Sequence, residues 1–263
     1  MLAKFAGEKN VVCSSLAEST VHSARQDFEE RGYVFIRGLL PEEDVLRARG
    51  TCIDALKAQN DVLENAEAIV AQKDPITGLL DRQDVAKSID FVLGSDKLVR
   101  VAETILDSEC VIFPYKWLRA VDKALYTGLH VDQSYFSQIP AFDNCRVLSA
   151  WIPLGRVSPK NGAMVIAEKD TRDLNVKYAK LAAERGLGND GTHSGWIDIE
   201  ETDLAAMNWS TASGAFEAGD VVFFGPEKLH CTAANQLDAI RLSCDVRFVA
   251  NDGRKRLKAM SEK

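Results

Sequence analysis

Gly128-Leu129-His130-Val131-Asp132-Gln133-Ser134-Tyr135-Phe136 is the stretch from which the rest of the chain can be read. In an extended strand alternate side chains share a face, so His130 and Asp132 point the same way while Val131 turns back into the wall. A third ligand is available at His230, downstream of the apolar run Val221-Val222-Phe223-Phe224, which reads as another strand of the same barrel. Two imidazoles and one carboxylate on one side of a metal leave the opposite coordination positions open. That is the donor set of ferrous oxygenases.

Taken alone, His-x-Asp is a common chance pattern, and a surface histidine beside a solvated acid is its ordinary explanation. Arg241 changes the weighting. It lies 241 − 230 = 11 positions beyond His230, and a hairpin turning near Asn235 and Gln236 sets it across from that histidine, with Ser243 on the same face. A guanidinium offers a planar fork to a carboxylate, and a hydroxyl two residues on adds a further hydrogen bond. The pattern describes a pocket for a dicarboxylic acid beside a metal.

The full chain has 263 residues, 46% hydrophobic and 27% charged. It is long enough for a sizeable core and compatible with one domain, since barrels run to roughly 200–250 residues as single units. A single domain over 1–263 is expected, with a helical N-terminal part over about 16–107 and a strand-rich core over about 109–250. The net charge of −7 and pI near 5.3 argue against nucleic acid, whose partners carry a basic face. Six cysteines are scattered without a Cys-x-x-Cys, which suits reduced thiols. Cys231, next to His230 but on the other face of its strand, reads as structural. No secretory signal stands at the start, no run approaches the roughly 20 apolar residues of a membrane span, and the cytoplasm is the expected location.

Several helices are expected before residue 109. One passes through Val21, Ala24 and Phe28 and ends at Gly32; a second starts at Pro41 with Leu46, Ile53 and Leu56 on its inward stripe; a third follows Ser95. Residues 60–90 read as a solvated loop. From Cys110 onward the signals are strand-like. Tyr115, Trp117 and Arg119 share one face of a strand and Lys116 and Leu118 the other, and one of these faces lines the cavity. Arg146–Ile152 follows as a strand, and Asn161-Gly162 marks a tight turn. The long segment over about 169–213 reads as a lid insertion, with His193 and Trp196 as the residues to test for substrate selection. Tyr126, Tyr135 and Phe136 flank the ligand stretch and could wall an apolar substrate pocket. Many short strands with Gly and Pro punctuation indicate an antiparallel double-stranded β-helix, a cupin-like jelly roll that is mainly β with N-terminal helices.

These residues resemble a family. Asp-Phe-Glu-Glu-Arg-Gly-Tyr-Val-Phe-Ile-Arg-Gly-Leu-Leu at 27–40, His130-x-Asp132, Trp151 within Ser-Ala-Trp-Ile-Pro-Leu, Asn161-Gly-Ala-Met, and His230 with Arg241 look like the phytanoyl-CoA dioxygenase family, over about Asp27 to Val249. The resemblance implies Fe(II) held by His130, Asp132 and His230, with 2-oxoglutarate and O2 as cosubstrates. It implies Arg241 and Ser243 on the far carboxylate of 2-oxoglutarate, Trp151 close to it, and Lys116 as a weaker candidate for steadying it. It also implies a roof over the site from which Arg82 or Gln83 reaches the substrate, and it allows a homodimer. The expected reaction is hydroxylation of an unactivated C–H bond in a small-molecule metabolite, a natural-product intermediate being one such, with release of succinate and CO2. Desaturation or cyclisation are variants. Halogenases of this class replace the carboxylate ligand with a small residue, so Asp132 speaks against halogenation. A catalytically silent 2-oxoglutarate-binding protein and a cupin-type isomerase are the alternatives.

Overall fold

The computed structural model describes residues 13–58, 62–64, 69–71, 79–114, 116–133, 146–168, 172–184 and 210–251. In chain order the elements begin with strand β1 (Cys13–Ser15), helix α1 (Ala24–Arg31), strand β2 (Tyr33–Ile36) and helix α2 (Glu42–Ala58). A two-stranded hairpin, β3 (Val62–Glu64) with β4 (Ile69–Ala71), precedes helices α3 (Gln83–Leu93) and α4 (Asp96–Leu106). Strands β5 (Cys110–Ile112), β6 (Trp117–Val121), β7 (Val147–Pro153) and β8 (Met164–Ala167) follow. After helix α5 (Arg172–Glu184) come β9 (Thr211–Ser213), β10 (Val221–Phe224), β11 (His230–Thr232) and β12 (Arg241–Ala250).

Two sheets face one another in a double-stranded β-helix. The larger runs β2-β10-β7-β12-β5, with β6 also paired to β12; the smaller runs β1-β9-β8-β11. Alternation assigns each side chain to a layer. On β10, Val221 and Phe223 join the helices in one apolar core while Val222 and Phe224 turn inward between the sheets. On β7, Leu148, Ala150 and Ile152 face the helices and Trp151 faces in. A third core lies outside the small sheet, where Leu174 and Tyr178 of α5 cover Val165, Ala167 and Cys231. Each large apolar side chain so buried contributes roughly 1.5–3 kcal/mol.

The helices differ in detail from the sequence reading. Helix α1 begins after Ser23 and ends as expected at Gly32, whose φ of 71° is the left-handed conformation glycine adopts without strain. The buried stripe of α2 is Val45, Ala48, Cys52, Ala55 and Leu56, while Leu46 is exposed. Residues 60–90, read as a solvated loop, contain the β3–β4 hairpin and most of α3, whose Val85, Ile89, Val92 and Leu93 are buried. Of the expected lid over 169–213, the described part is not a cover: α5 packs on the outer face of the small sheet, and Thr211–Ser213 is a strand within it. Among the described residues no helix is long and apolar enough to cross a membrane.

Candidate metal centre and anion pocket

His130 and His230 are brought together by the backbone. Each donates its N–H to the other's carbonyl at 3.0 Å, an antiparallel bridge that places the two imidazoles side by side with ring centroids 4.1 Å apart. Both rings are then set by the same local device. The Nδ1 of His130 bonds the carbonyl of Gly128 at 2.9 Å, and that of His230 bonds the carbonyl of Lys228 at 2.8 Å. A carbonyl only accepts, so each Nδ1 carries the proton and each Nε2 presents a lone pair to the space between the sheets. Burial, reinforced by His230, pushes the His130 imidazole down to about 3 against the pull of Asp132, and burial also pushes His230 down. Both rings are neutral donors at neutral pH.

Asp132 completes the group, although it sits in a turn just past the bridge and not in a continuing strand. Its Oδ1 lies 3.8 Å from Nε2 of His130 and 4.0 Å from Nε2 of His230, and ligand atoms from the three residues all fall within 4.8 Å of one another. Its Oδ2 is turned away and held, accepting from the Ser149 hydroxyl at 2.7 Å and from Nη2 of Arg247 at 2.8 Å. Burial alone would raise this carboxyl; Arg247, the imidazoles and Ser149 outweigh burial and hold it well below the usual carboxylate range. Arg247 is fixed in turn by Asp245 and lies over the Trp117 ring, 4.1 Å from its centroid.

Arg241 is 1% exposed and stands over the Trp151 ring, 6.0 Å from its centroid. Its Nη1 donates to the Ser243 hydroxyl, while among the described residues Nε and Nη2 have no hydrogen-bond partner. Burial, together with nearby Arg119, lowers this guanidinium to about 9, still a cation at neutral pH. A buried cation with two open donors is costly unless an anion fills the space. Gly162 closes one side of the pocket: a Cβ there would come within 3.4 Å of Nε of Arg241. Two neutral imidazoles and a carboxylate suit a divalent transition metal, and the open donors of Arg241 suit a carboxylate. The residues therefore fit both a ferrous ion and a diacid.

The structure thus brings together His130, Asp132, His230, Arg241, Ser243 and Trp151. The route to Arg241 differs from the expected hairpin, because β11 and β12 belong to different sheets and the segment 233–240 crosses between them. Lys116 does not join the site. It pairs with Asp90 of α3 on the helix side of the large sheet, lining a cavity of about 120 Å³; the Trp117 and Arg119 face of β6 is the one that turns inward. Arg82 also stays away, paired with Asp84 at 3.0 Å in the helical layer, where neighbouring Gln83 opens α3. Tyr126 is half-buried on the segment leading to His130. Tyr115, Tyr135, Phe136, His193 and Trp196 lie outside the described residues. The sequence reading missed Ser149, Asp245 and Arg247. Their signal was available in Arg241-Leu-Ser-Cys-Asp-Val-Arg247, where a polar residue at every second position interrupts an otherwise apolar strand.

Comparison with known proteins places this geometry in context. The phytanoyl-CoA dioxygenase (PhyH) family profile matches residues 28–243. The chain is 24% identical over 256 residues to peroxisomal phytanoyl-CoA dioxygenase of Homo sapiens, covering 87% of this chain and 68% of that protein. Among solved structures it resembles EctD from S. alaskensis, crystallised with 2-oxoglutarate and 5-hydroxyectoine, with a TM-score of 0.58 and 17% identity over 93% of this chain and 82% of that one. It also resembles the non-heme alpha ketoglutarate dependent carbocyclase SnoK from nogalamycin biosynthesis, with a TM-score of 0.57 and 19% identity over 89% and 87% of the two chains.

Proposed function

This chain belongs to the phytanoyl-CoA dioxygenase family, whose members take Fe(II), 2-oxoglutarate and O2, and from that premise we propose that it hydroxylates a C–H bond of a small-molecule metabolite. The observation that carries the reading is the buried, half-partnered guanidinium of Arg241 in the same inter-sheet space as a complete His-Asp-His group.

In this reading His130, Asp132 and His230 hold the metal on one side. The carbonyls of Gly128 and Lys228 keep both Nε2 lone pairs pointed at it. Ser149 and Arg247 occupy Oδ2 of Asp132, so that Oδ1 alone is offered and the other coordination positions stay free. Arg241 and Ser243 grip the far carboxylate of 2-oxoglutarate, and Trp151 beneath them excludes water from the charge pair, which strengthens it. When bound, iron and 2-oxoglutarate supply the oxidising power, dioxygen being consumed as the 2-oxo acid is decarboxylated to succinate and carbon dioxide. Asp132 fills the position a halide would need, which sets hydroxylation above halogenation.

Succinate formation with ferrous iron, ascorbate and 2-oxoglutarate is the test. Wild type is expected to form succinate, His130→Ala to form none and to lose metal binding, and Arg241→Met to keep the metal while binding 2-oxoglutarate roughly 10- to 100-fold more weakly, the scale of lost charged hydrogen bonds. Wild-type protein that binds both ligands yet releases no succinate would be a silent binder. Full turnover by His130→Ala would remove the proposed centre.

A further inference from the structure

The charges facing the metal ligands do not balance. Among the described residues, Arg119, Arg241 and Arg247 supply three positive charges and Asp132 and Asp245 two negative ones, and the two imidazoles, each bonding a carbonyl through Nδ1 and offering Nε2 to the metal, count as neutral, leaving 3 − 2 = +1. A divalent metal and the dianion 2-oxoglutarate cancel each other, so the loaded site keeps that single excess charge. Lys228, the other buried cation among the described residues, is committed elsewhere, donating to the Arg31 carbonyl and lying against the Tyr33 ring.

The excess can be located. Arg241 is claimed by the diacid, and Arg247 is locked between Asp132 and Asp245. Arg119 is different. It sits on the inward face of β6 opposite Ser243, so it neighbours the diacid pocket, and its side chain is 34% exposed against 4% for Arg247. Its Nε donates to Asp245 at a long 3.4 Å, and the Nη edge of the fork has no hydrogen-bond partner among the described residues. Removing Arg119 would leave Asp245 still paired with Arg247, so its pairing with Asp245 is dispensable to the network.

We propose that the substrate is a small organic monocarboxylate and that Arg119 receives its carboxylate through the open Nη edge, holding the acid beside the bound 2-oxoglutarate. This deepens the oxygenase reading and rests on it. A planar carboxylate matches the guanidinium fork, and a single negative charge matches the single excess positive one. A phosphate monoester seated on Arg119 would carry more charge than the described site balances. Apolar surface reaches the metal ligands at Phe224, whose ring lies 4.5 Å from that of His230, so the body of the acid is apolar.

The test loads the full-length protein with Mn(II) and 2-oxoglutarate under argon. It then measures the affinity of four acid and amide pairs of equal shape by thermal shift: hexanoate, benzoate, phenylacetate and cyclohexanecarboxylate, each against its primary amide. In at least one pair the acid is expected to bind roughly 10- to 100-fold more tightly than the amide. That preference should vanish in Arg119→Met and survive in part in Arg119→Lys. Equal binding of acids and amides, no response to any acid, or a preference that persists in Arg119→Met would each overturn the proposal. So would a loss of 2-oxoglutarate affinity in Arg119→Met without any acid preference in wild type, which would assign the residue to the cosubstrate. Failure of wild type to bind Mn(II) or to form succinate with iron would instead strike the oxygenase reading itself.

Discussion

The two faces of β12 are buried alike and built from opposite chemistries. Toward the helices stand Leu242, Cys244, Val246 and Phe248; toward the small sheet stand Arg241, Ser243, Asp245 and Arg247, and all eight are 3% exposed or less. The outer face packs against α4 and its neighbours and stabilises by removing apolar area from water. On the inner face the same burial is a cost that partners must offset, and they offset it unevenly: Arg247 is paired with both Asp245 and Asp132, whereas among the described residues Arg241 has no carboxylate partner and keeps two donors open. Burial therefore does not separate structure from function on this strand. Satisfaction does, because an unfilled donor in a dry site is a place prepared for something that arrives later.

The contrast breaks most visibly at Phe248. Phe248→Ala should lower unfolding free energy by about 3–5 kcal/mol while metal and 2-oxoglutarate affinity stay within about twofold. Urea titration beside ligand titration checks both halves, and a large affinity change without loss of stability would show that the faces are not independent. At Arg247 the expectation reverses. Arg247→Met paired with Asp245→Asn leaves no unpaired acid on the strand and leaves Oδ2 of Asp132 held by Ser149 alone, so Mn(II) affinity should drop roughly 10- to 100-fold, the usual scale for residues that orient a metal ligand. Unchanged affinity would reduce Arg247 to packing.

The smallest effect is one of pH. His130 titrates near 3 when folded and at about 6.5 when unfolded, and His230 is lowered as well. Below 6.5 the unfolded chain takes up protons that the folded chain refuses, so stability present above that pH is lost as pH falls toward 3. The His130 imidazole should add about 1.4 kcal/mol per pH unit to the decline of the metal-free protein, and His230 adds in the same direction. Urea midpoints with chelator between pH 6.5 and 4.5 measure it. The slope should shrink in His130→Gln and persist in Phe248→Ala; a flat profile in wild type would mean the rings are not buried as neutral donors.

How much of this was legible beforehand varies by residue and for physical reasons. The clustering of His130, Asp132 and His230 could be anticipated because ligand chemistry restricts residue type, and the nearby Arg241 because a planar fork beside them has few other uses. Residues 60–90 misled because Pro75, Gly78 and the charged cluster Asp81-Arg82-Gln83-Asp84 are surface punctuation that hides the helical spacing of Val85, Ile89 and Val92 just after it. Lys116 and Arg119 could not be told apart in advance. Alternation says that neighbours on a strand face opposite ways, but not which way is in.

By itself the sequence determined the kind of fold and pointed to a candidate metal trio and a candidate anion anchor, because strand periodicity and ligand chemistry are written locally. Only the tertiary structure decided that Oδ2 of Asp132 belongs to Arg247, 115 positions away, that the chain crosses from one sheet to the other between His230 and Arg241, and that Arg119 faces in while Lys116 faces out. Those choices depend on which strands become neighbours, and strand pairing is settled by burying the apolar faces of both sheets at once. No local stretch of residues carries that condition.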